Sequence, residues 1–294
     1  MLSVAMPRRF LTLCVNYRND AETVAFVSAV AALPGYSGDI YVVSNSQSDT
    51  LAEELAKRPR GADGPHLFVD FPEENLGYFG GAARGLDSYL VDHTLPEWIM
   101  VANTDLSFPD PQFFTKLVSL HSAKPPAVVA PDIVLKTRRG LPSTLPHQNP
   151  FMVSRPPAAQ LRFLRLISRW YPVYVLYELA TTLRYAVATT FSRRQAAEQT
   201  VASQTRPIYA PFGACILFHR SYFEAGGSLK YPSFLFGEEL FVAETAREKR
   251  LEVLYDPRLQ IFHHEHGATG MVSSRRIAGY LSNSYAYLLD TYFK

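Results

Sequence analysis

The chain has 294 residues, of which 47% are hydrophobic and 19% charged, with a formal net charge of +2. That composition is globular, with length enough for one large domain or two small ones, and so small a charge gives no reason to expect a nucleic-acid partner. The two cysteines, Cys14 and Cys215, each sit in an apolar run, which reads as buried thiols in a reducing compartment, not a disulfide framework.

The N-terminus, "MLSVAMPRRFLTLCVNYRND", carries the Arg8-Arg9 pair of a twin-arginine signal. The apolar run behind it ends at Asn16 with no small-residue cleavage site, so a short tail entering a buried strand is expected. "RFLTLCVNY" has the continuous apolar character of a strand in a parallel sheet. A helix follows from Asp20 to Leu33, closed by Pro34-Gly35. "DIYVVSN" is a second strand, and "SDTLAEELAKR" a helix with Ser48 at its N-cap. "HLFVDF" is a third strand, "FGGAARGLDSYLVDH" a helix opening on glycines, and "EWIMVANTD" a strand ending on an acid. "DPQFFTKLVSLHSA" is a helix with Pro111 near its start, and "AVVAPDIVL" another strand. Strand–helix repetition of this kind implies a doubly wound α/β architecture, mostly parallel, with helices on both faces. Ligands gather at the carboxyl ends of such strands.

From about residue 136 the composition shifts to Pro and basic residues, "KTRRGLPSTLPHQNPFMVSRPP", which reads as a linker. "AQLRFLRLISRWYPVYVLYELATTLRYAVATTFSRRQ" then places Arg162, Arg165 and Arg169 on one helical face, with Leu164, Ile167, Trp170 and Tyr171 broadly opposite. Pro172 interrupts, and a second apolar helix runs on to Arg193-Arg194. Two readings stand: a basic helix lying in a membrane interface, or a hairpin packed on the domain with its arginines in water. Nowhere does an unbroken apolar run reach the ~18 residues of a spanning helix. From Pro207 the strand–helix texture returns: "PIYAPFGACILFHR" as a strand, "SYFEAGG" as a short helix, "LEVLYDP" and "LQIFHHEHG" as two strands, and "SSRRIAGYLSNSYAYLLDTYF" as a terminal helix.

Several stretches carry chemistry. In "FGEELFVAETAREKR", Glu238 and Glu239 stand side by side where a helix begins. They either complement the helix dipole or take a proton in catalysis. Asp105 ends an apolar strand two residues after Asn103; such a carboxylate either holds a divalent cation with phosphate and water or caps a turn. "NLGYFGGAARG" (75–85) leaves the backbone bare at a helix start, which suits approach to a phosphate or sugar, although it is neither a P-loop nor G-x-G-x-x-G. "IFHHEHGATG" places three histidines in four positions at a strand end, as imidazole ligands or as a polar loop.

In order along the chain, "VNYRN", "VSNSQSD", "NLGYFGGAARG", "ANTD", "FGACILFHR", "FLFGEEL" and "IFHHEHGATG" resemble the motif series of family-2 glycosyltransferases of the GT-A fold. The bacterial rhamnosyltransferase-like group that builds surface polysaccharides is the most similar. The resemblance covers roughly residues 10–135 and 207–270. It implies a nucleotide-sugar-binding half (1–135), a linker and amphipathic helical insertion (136–206), an acceptor-binding and catalytic half (207–270) and a C-terminal helix (271–294).

The resemblance also implies roles. Tyr17 would stack on the base, and Asn16, Ser44 and Asn45 would line the nucleoside site. Asn75 and Gly77 would shape the phosphate-side loop. Asp105, with Asn103 beside it, would hold Mn2+ or Mg2+, with His263 as a further metal or diphosphate contact. Glu239, or Glu238 beside it, would be the general base. The implied activity is inverting transfer of a sugar, L-rhamnose from dTDP-rhamnose being favoured, onto a lipid-linked surface glycan such as O-antigen or capsule, in the cytoplasm or at the inner face of the inner membrane. A UDP-hexose, UDP-N-acetylhexosamine or UDP-galactofuranose donor is the alternative; an inactive sugar-binding scaffold is the alternative from another class. The chain departs from the family pattern at Ser44 (usually Asp), Ala83 (usually Asn) and Glu239 (usually Asp). Tyr231, Phe234 and Phe236 are expected to form a sugar-stacking wall for the acceptor.

Overall fold

The computed structural model describes residues 9–57, 64–120, 125–136, 147–192, 204–264 and 274–294. In chain order its elements are β1 (Phe10–Asn16), α1 (Asp20–Ala32), β2 (Gly38–Ser44), α2 (Asp49–Ala56), β3 (Leu67–Asp70), α3 (Gly77–Asp92), β4 (Trp98–Ala102), β5 (Leu106–Ser107), α4 (Phe113–Ser119) and β6 (Val128–Leu135). They continue with α5 (Ala158–Arg169), α6 (Tyr171–Ser192), β7 (Arg206–Pro207), β8 (Cys215–His219), α7 (Arg220–Glu224), α8 (Glu238–Glu248), β9 (Val253–His263) and α9 (Arg275–Thr291). Arg8, Arg193, Arg194, His266 and much of the proposed linker lie outside the described residues.

One nine-stranded sheet runs in the order β3-β2-β1-β4-β8-β6-β9-β5, with β7 also on β9. The expected doubly wound α/β architecture is present. β1 to β4 pair in parallel, and β6 pairs in parallel with β9. Between these two groups β8 runs antiparallel to both β4 and β6. Its reversed direction puts the entry to β8, Phe212–Ala214, at the edge where β1, β2, β4 and β9 end.

Alternation along the strands feeds a core on each face. Phe10 and Cys14 join Phe26 and Val27 of α1, Leu51 of α2 and Phe113 of α4 on one side. Leu11 and Leu13 join Phe79 and Leu86 of α3, Phe241 of α8 and Leu288 of α9 on the other. Both cysteines are free and buried; burial alone pushes the Cys14 thiol up to about 12. Ser48 caps α2 as expected, its hydroxyl accepting from the Leu51 N–H at 3.1 Å.

Four expectations are corrected. "PIYAPFGACILFHR" is not one strand: Pro207 ends β7, β8 begins only at Cys215, and residues 208–214 lie between them. "LEVLYDP" and "LQIFHHEHG" form the single strand β9, which crosses a register shift against Pro131 and Asp132 of β6. There Arg258 bonds the Asp256 carboxylate from the side, so the Asp-Pro pair makes an irregularity and not a turn. Pro172 does not interrupt a helix: the break is at Trp170, in extended backbone, and Pro172 sits in the first turn of α6, where its missing N–H costs nothing. Tyr231 is buried, its hydroxyl 2.7 Å from Ser284 Oγ and its ring against Phe241 and Tyr287, so it offers no face to a sugar.

Helix α8 is anchored by a charge. Glu244, fully buried, is bonded by Arg155 at 2.6 and 3.1 Å and by Arg247 at 2.8 Å. Burial alone would raise its carboxyl, but the bonds from Arg155, Arg247 and Tyr209 hold it below the ordinary range. Among the described residues no helix is long and apolar enough to cross a membrane.

Candidate active site

A cleft of about 650 Å³ opens over the ends of β1 and β2, lined by Tyr17, Arg18, Asp20, Asn45, Ser46, Gln47, Ser48 and Asn75. Tyr17, Asn45 and Asn75 are sequence-expected residues brought together here. Asn16 and Ser44 are fully buried beneath them. The Asn16 amide donates to Asp20 Oδ1 at 2.8 Å and to Ser44 Oγ at 2.9 Å, and the Ser44 hydroxyl donates to the Ser46 carbonyl at 2.6 Å. Ser44 is therefore engaged within the floor, not presented to a ligand. Asp20, read from the sequence only as the first residue of a helix, is the carboxylate that lines the cleft, bonded also to Ser48. The signal for it was present: it stands four residues after Asn16, at the first position of the helix that follows β1.

Arg18 holds a left-handed backbone, φ 56°, with its N–H on Ser46 Oγ at 2.9 Å. Its guanidinium lies 5.2 Å from the Tyr17 ring centre. On the opposite wall Asn45 reads the loop before α3: its amide donates to the Gly77 carbonyl and its oxygen accepts from the Leu76 N–H, at 2.9 and 3.0 Å. Asn75 Oδ1 accepts from the Gly77 N–H at 2.9 Å. Gly77 has φ 74°, and a side chain there would meet the Phe234 carbonyl at 2.0 Å. Only glycine fits, and the contact brings the loop before α8 onto the loop before α3.

Asp105 follows the end of β4. The chain then turns into β5, which pairs with the last two residues of β9, Leu106 opposite His263. This pairing sets Asp105 Oδ2 at 3.3 Å from His263 Nε2. Gln148 Oε1 accepts from His263 Nδ1–H at 2.7 Å, so in the neutral ring the Nε2 lone pair points at the carboxylate. Gln148 was missed because it lies in the Pro-rich linker. Next to the pair, the Asn103 N–H donates to the Ala214 carbonyl at 2.8 Å, which fastens β4 to the entry of β8.

Among the described residues no cluster of three or more His, Cys, Asp or Glu could hold a metal. A carboxylate oxygen and an imidazole nitrogen 3.3 Å apart fit two adjacent ligands of a six-coordinate Mn2+ or Mg2+, which at ~2.1 Å from the ion stand about 3 Å apart, with the other ligands coming from phosphate and water.

The glutamates enter from the far end of the sequence. Phe236 and Gly237 are both left-handed, φ 69° and 86°. For phenylalanine that conformation costs on the order of 1–3 kcal/mol; it turns the chain sharply into α8. At Gly237 a side chain would strike Ser284 Oγ at 2.3 Å. Burial pushes the Glu238 carboxyl up to about 8, with the charge of Glu239 adding to it. Glu239 is also raised by burial, against the pull of backbone N–H groups at Glu239, Gly213 and Gly237. Dipole stabilisation at a helix start is thus outweighed by desolvation. Tyr78 ties the two ends of the site together. Its hydroxyl donates to the Gly213 carbonyl at 3.1 Å. It is held well above its ordinary range by burial and then by Cys215, Glu238, Glu239 and Asp105. The charges of the glutamate pair and of Asp105 therefore all act on one tyrosine.

No family model and no curated protein matches the sequence. Solved structures match by shape. GalNAc-T7 with UDP, GalNAc and Mn2+ is similar over 96% of this chain and 48% of its own, at 12% identity and TM-score 0.59. S. aureus TarS 1–349 in complex with UDP-GlcNAc is similar over 90% and 61%, at 10% identity and TM-score 0.54. The mannosyltransferase PcManGT from Pyrobaculum calidifontis in complex with GDP-Man and Mn2+ is similar over 97% and 71%, at 12% identity and TM-score 0.51. The chain spans about half the length of GalNAc-T7. At these identities the likeness is one of fold, and that fold is GT-A.

Proposed function

We propose that this GT-A chain is a glycosyltransferase that moves a sugar from a nucleoside-diphosphate donor to a hydroxyl acceptor with inversion. The observation that supports the reading is that the Asp105–His263 pair and Glu239 meet one backbone segment: Gly213 lies against the Glu239 carboxylate, and the Ala214 carbonyl accepts from the Asn103 N–H, two residues before Asp105. In a single displacement the attacking hydroxyl must lose its proton as the anomeric carbon changes partner. Glu239 takes that proton; a carboxyl raised toward neutrality by its site is matched to the task. Asp105 and His263 would hold a divalent cation. When bound, it supplies positive charge to the departing diphosphate. The neighbours of this fold bind UDP, GDP-Man or UDP-GlcNAc, two of them with Mn2+.

In the cleft Tyr17 stacks on the base, and Asp20 supplies the carboxylate that Ser44 lacks for the base imide N–H. Residues 1–135 form the donor half and 207–270 the acceptor half. The favoured donor is dTDP-rhamnose, with UDP-hexose, UDP-N-acetylhexosamine and UDP-galactofuranose as alternatives. The acceptor is a lipid-linked bacterial surface glycan, met at the cytoplasmic face of the inner membrane.

Calorimetry with dTDP, UDP, GDP and CDP, each with and without Mn2+, tests the reading. Metal-dependent selection of one diphosphate is expected, weakened in Asp20→Asn. The engagement of Ser44 within the floor favours one second reading, a sugar-binding scaffold. Absence of nucleotide binding, with glycan binding retained, would establish it.

A further inference from the structure

Ten large hydrophobic side chains are exposed among the described residues, and six of them fall between residues 163 and 179. Phe163 and Leu166 stand on α5 and Trp170 just past its end; Val173, Leu176 and Leu179 form a row along α6, with Leu176 66% and Trp170 62% exposed. The Phe163 ring meets Tyr177 at 6.0 Å, which joins the two helices. This is not a loosely attached hairpin. Leu161 and Ile167 are buried, and α5 packs along α9. The helices are seated by one face and leave another, apolar, uncovered.

The charge beside that face is mostly basic. Arg162, Arg165 and Arg169 are exposed on α5, and Glu178 is the one acid between residues 158 and 181. Tryptophan and leucine flanked by arginines are the residues an interfacial helix uses: the apolar row enters the acyl boundary and the guanidiniums meet anionic headgroups. A face that docks a protein partner does not need so one-sided a charge. Helix α9 joins the hairpin to the start of α8: it packs along α5 and touches α6, and its Ser284 Oγ lies against Gly237, two residues before Glu239.

We infer that the exposed apolar side chains of α5 and α6, with Arg162, Arg165 and Arg169, form a docking surface for an anionic lipid bilayer. This deepens the reading of a lipid-linked acceptor and rests on that reading for its purpose. The lipid fixes the protein in one orientation relative to the membrane.

The test is co-sedimentation of the full chain with phosphatidylcholine vesicles, with and without phosphatidylglycerol, at low and high salt. The wild type is expected to pellet with the anionic vesicles and to be released by salt. Leu166→Ser with Leu176→Ser should lower partitioning by about 10²-fold. Arg162→Gln, Arg165→Gln and Arg169→Gln together should lower it by a similar factor on anionic vesicles only. All these side chains are exposed, so melting temperature and nucleotide binding should not change. Wild-type protein that stays in the supernatant with both vesicles, or a double leucine variant that pellets as well as wild type, overturns the inference. So does a dimer in solution that the leucine variant dissolves, which would assign the face to a second copy of this chain. Nucleotide calorimetry does not involve vesicles, so failure of the transfer reading and failure of the lipid reading are separable.

Discussion

Gly213 leaves its α-carbon bare against the Glu239 carboxylate: a side chain at that position would begin 2.7 Å from Glu239 Oε1. The glycine lies at the entry to β8, the one strand that runs against its neighbours in the centre of the sheet. Reversal of this strand is what delivers a tight backbone segment to the ligand edge, where it presses on the proposed base. Gly213→Ala should therefore displace the carboxylate without touching the cleft. Transfer should fall by about 10²-fold, the scale of a small misplacement of a reacting group, while nucleotide affinity holds. Paired kcat and calorimetric measurements check this; equal losses in both would mean the site had collapsed as a whole.

Glu239→Gln keeps the shape and removes the base. Transfer should fall by about 10²-fold or more with donor binding intact. Full turnover in this variant would move the role to Glu238.

Asp105→Ala and His263→Ala each remove one of the two proposed metal ligands. Both should abolish the part of nucleotide affinity that depends on Mn2+, and Asp105→Ala should also weaken Mn2+ binding by itself, read by electron paramagnetic resonance. Unchanged affinity in the presence and absence of Mn2+ would sink the assignment. Gln148→Ala, which frees the His263 ring, should weaken Mn2+ binding less than loss of a ligand, by about 10-fold.

The Glu238 carboxyl gives a stability signature. Its folded value is raised to about 8 from an ordinary 4.5. Between those values the folded chain binds the proton and the unfolded chain does not, so stability falls as pH rises through that window. Below the ordinary value both states are protonated and the effect is absent. Melting temperatures of wild type and Glu238→Gln should thus diverge between about pH 5 and pH 8, the variant losing less. Parallel curves would mean that the carboxyl titrates normally.

The strands and helices were legible because each is an apolar run with its own punctuation. β1, β2 and β4 end near the polar residues that mark them in sequence, and Asn45, Asn75 and Tyr17 meet at the cleft as a parallel sheet requires. Direction was less legible. Nothing in the period of "CILFH" says that β8 runs against β4, because alternation is the same either way. The Asp256-Pro257 pair looks like a turn, and only Arg258 on the Asp256 carboxylate shows how one strand absorbs it. Tyr231 was misread for a similar reason: its partners Ser284 and Tyr287 come from α9, far along the chain. Asp20 and Gln148 were passed over because each sits in a segment with a sufficient local explanation, a helix start and a Pro-rich stretch.

The pairing of β5 with β9 has a consequence for synthesis. Every residue that lines the cleft lies within the first quarter or so of the chain, at or just past the carboxyl ends of strands that pair with one another. Asp105 meets His263 only when β9 has been made and has closed against β5. Chains emerge from the ribosome N-terminus first. A nascent chain thus has its pocket before it has its carboxylate–imidazole pair or its glutamates, and the parts proposed to act on the sugar are the last to arrive.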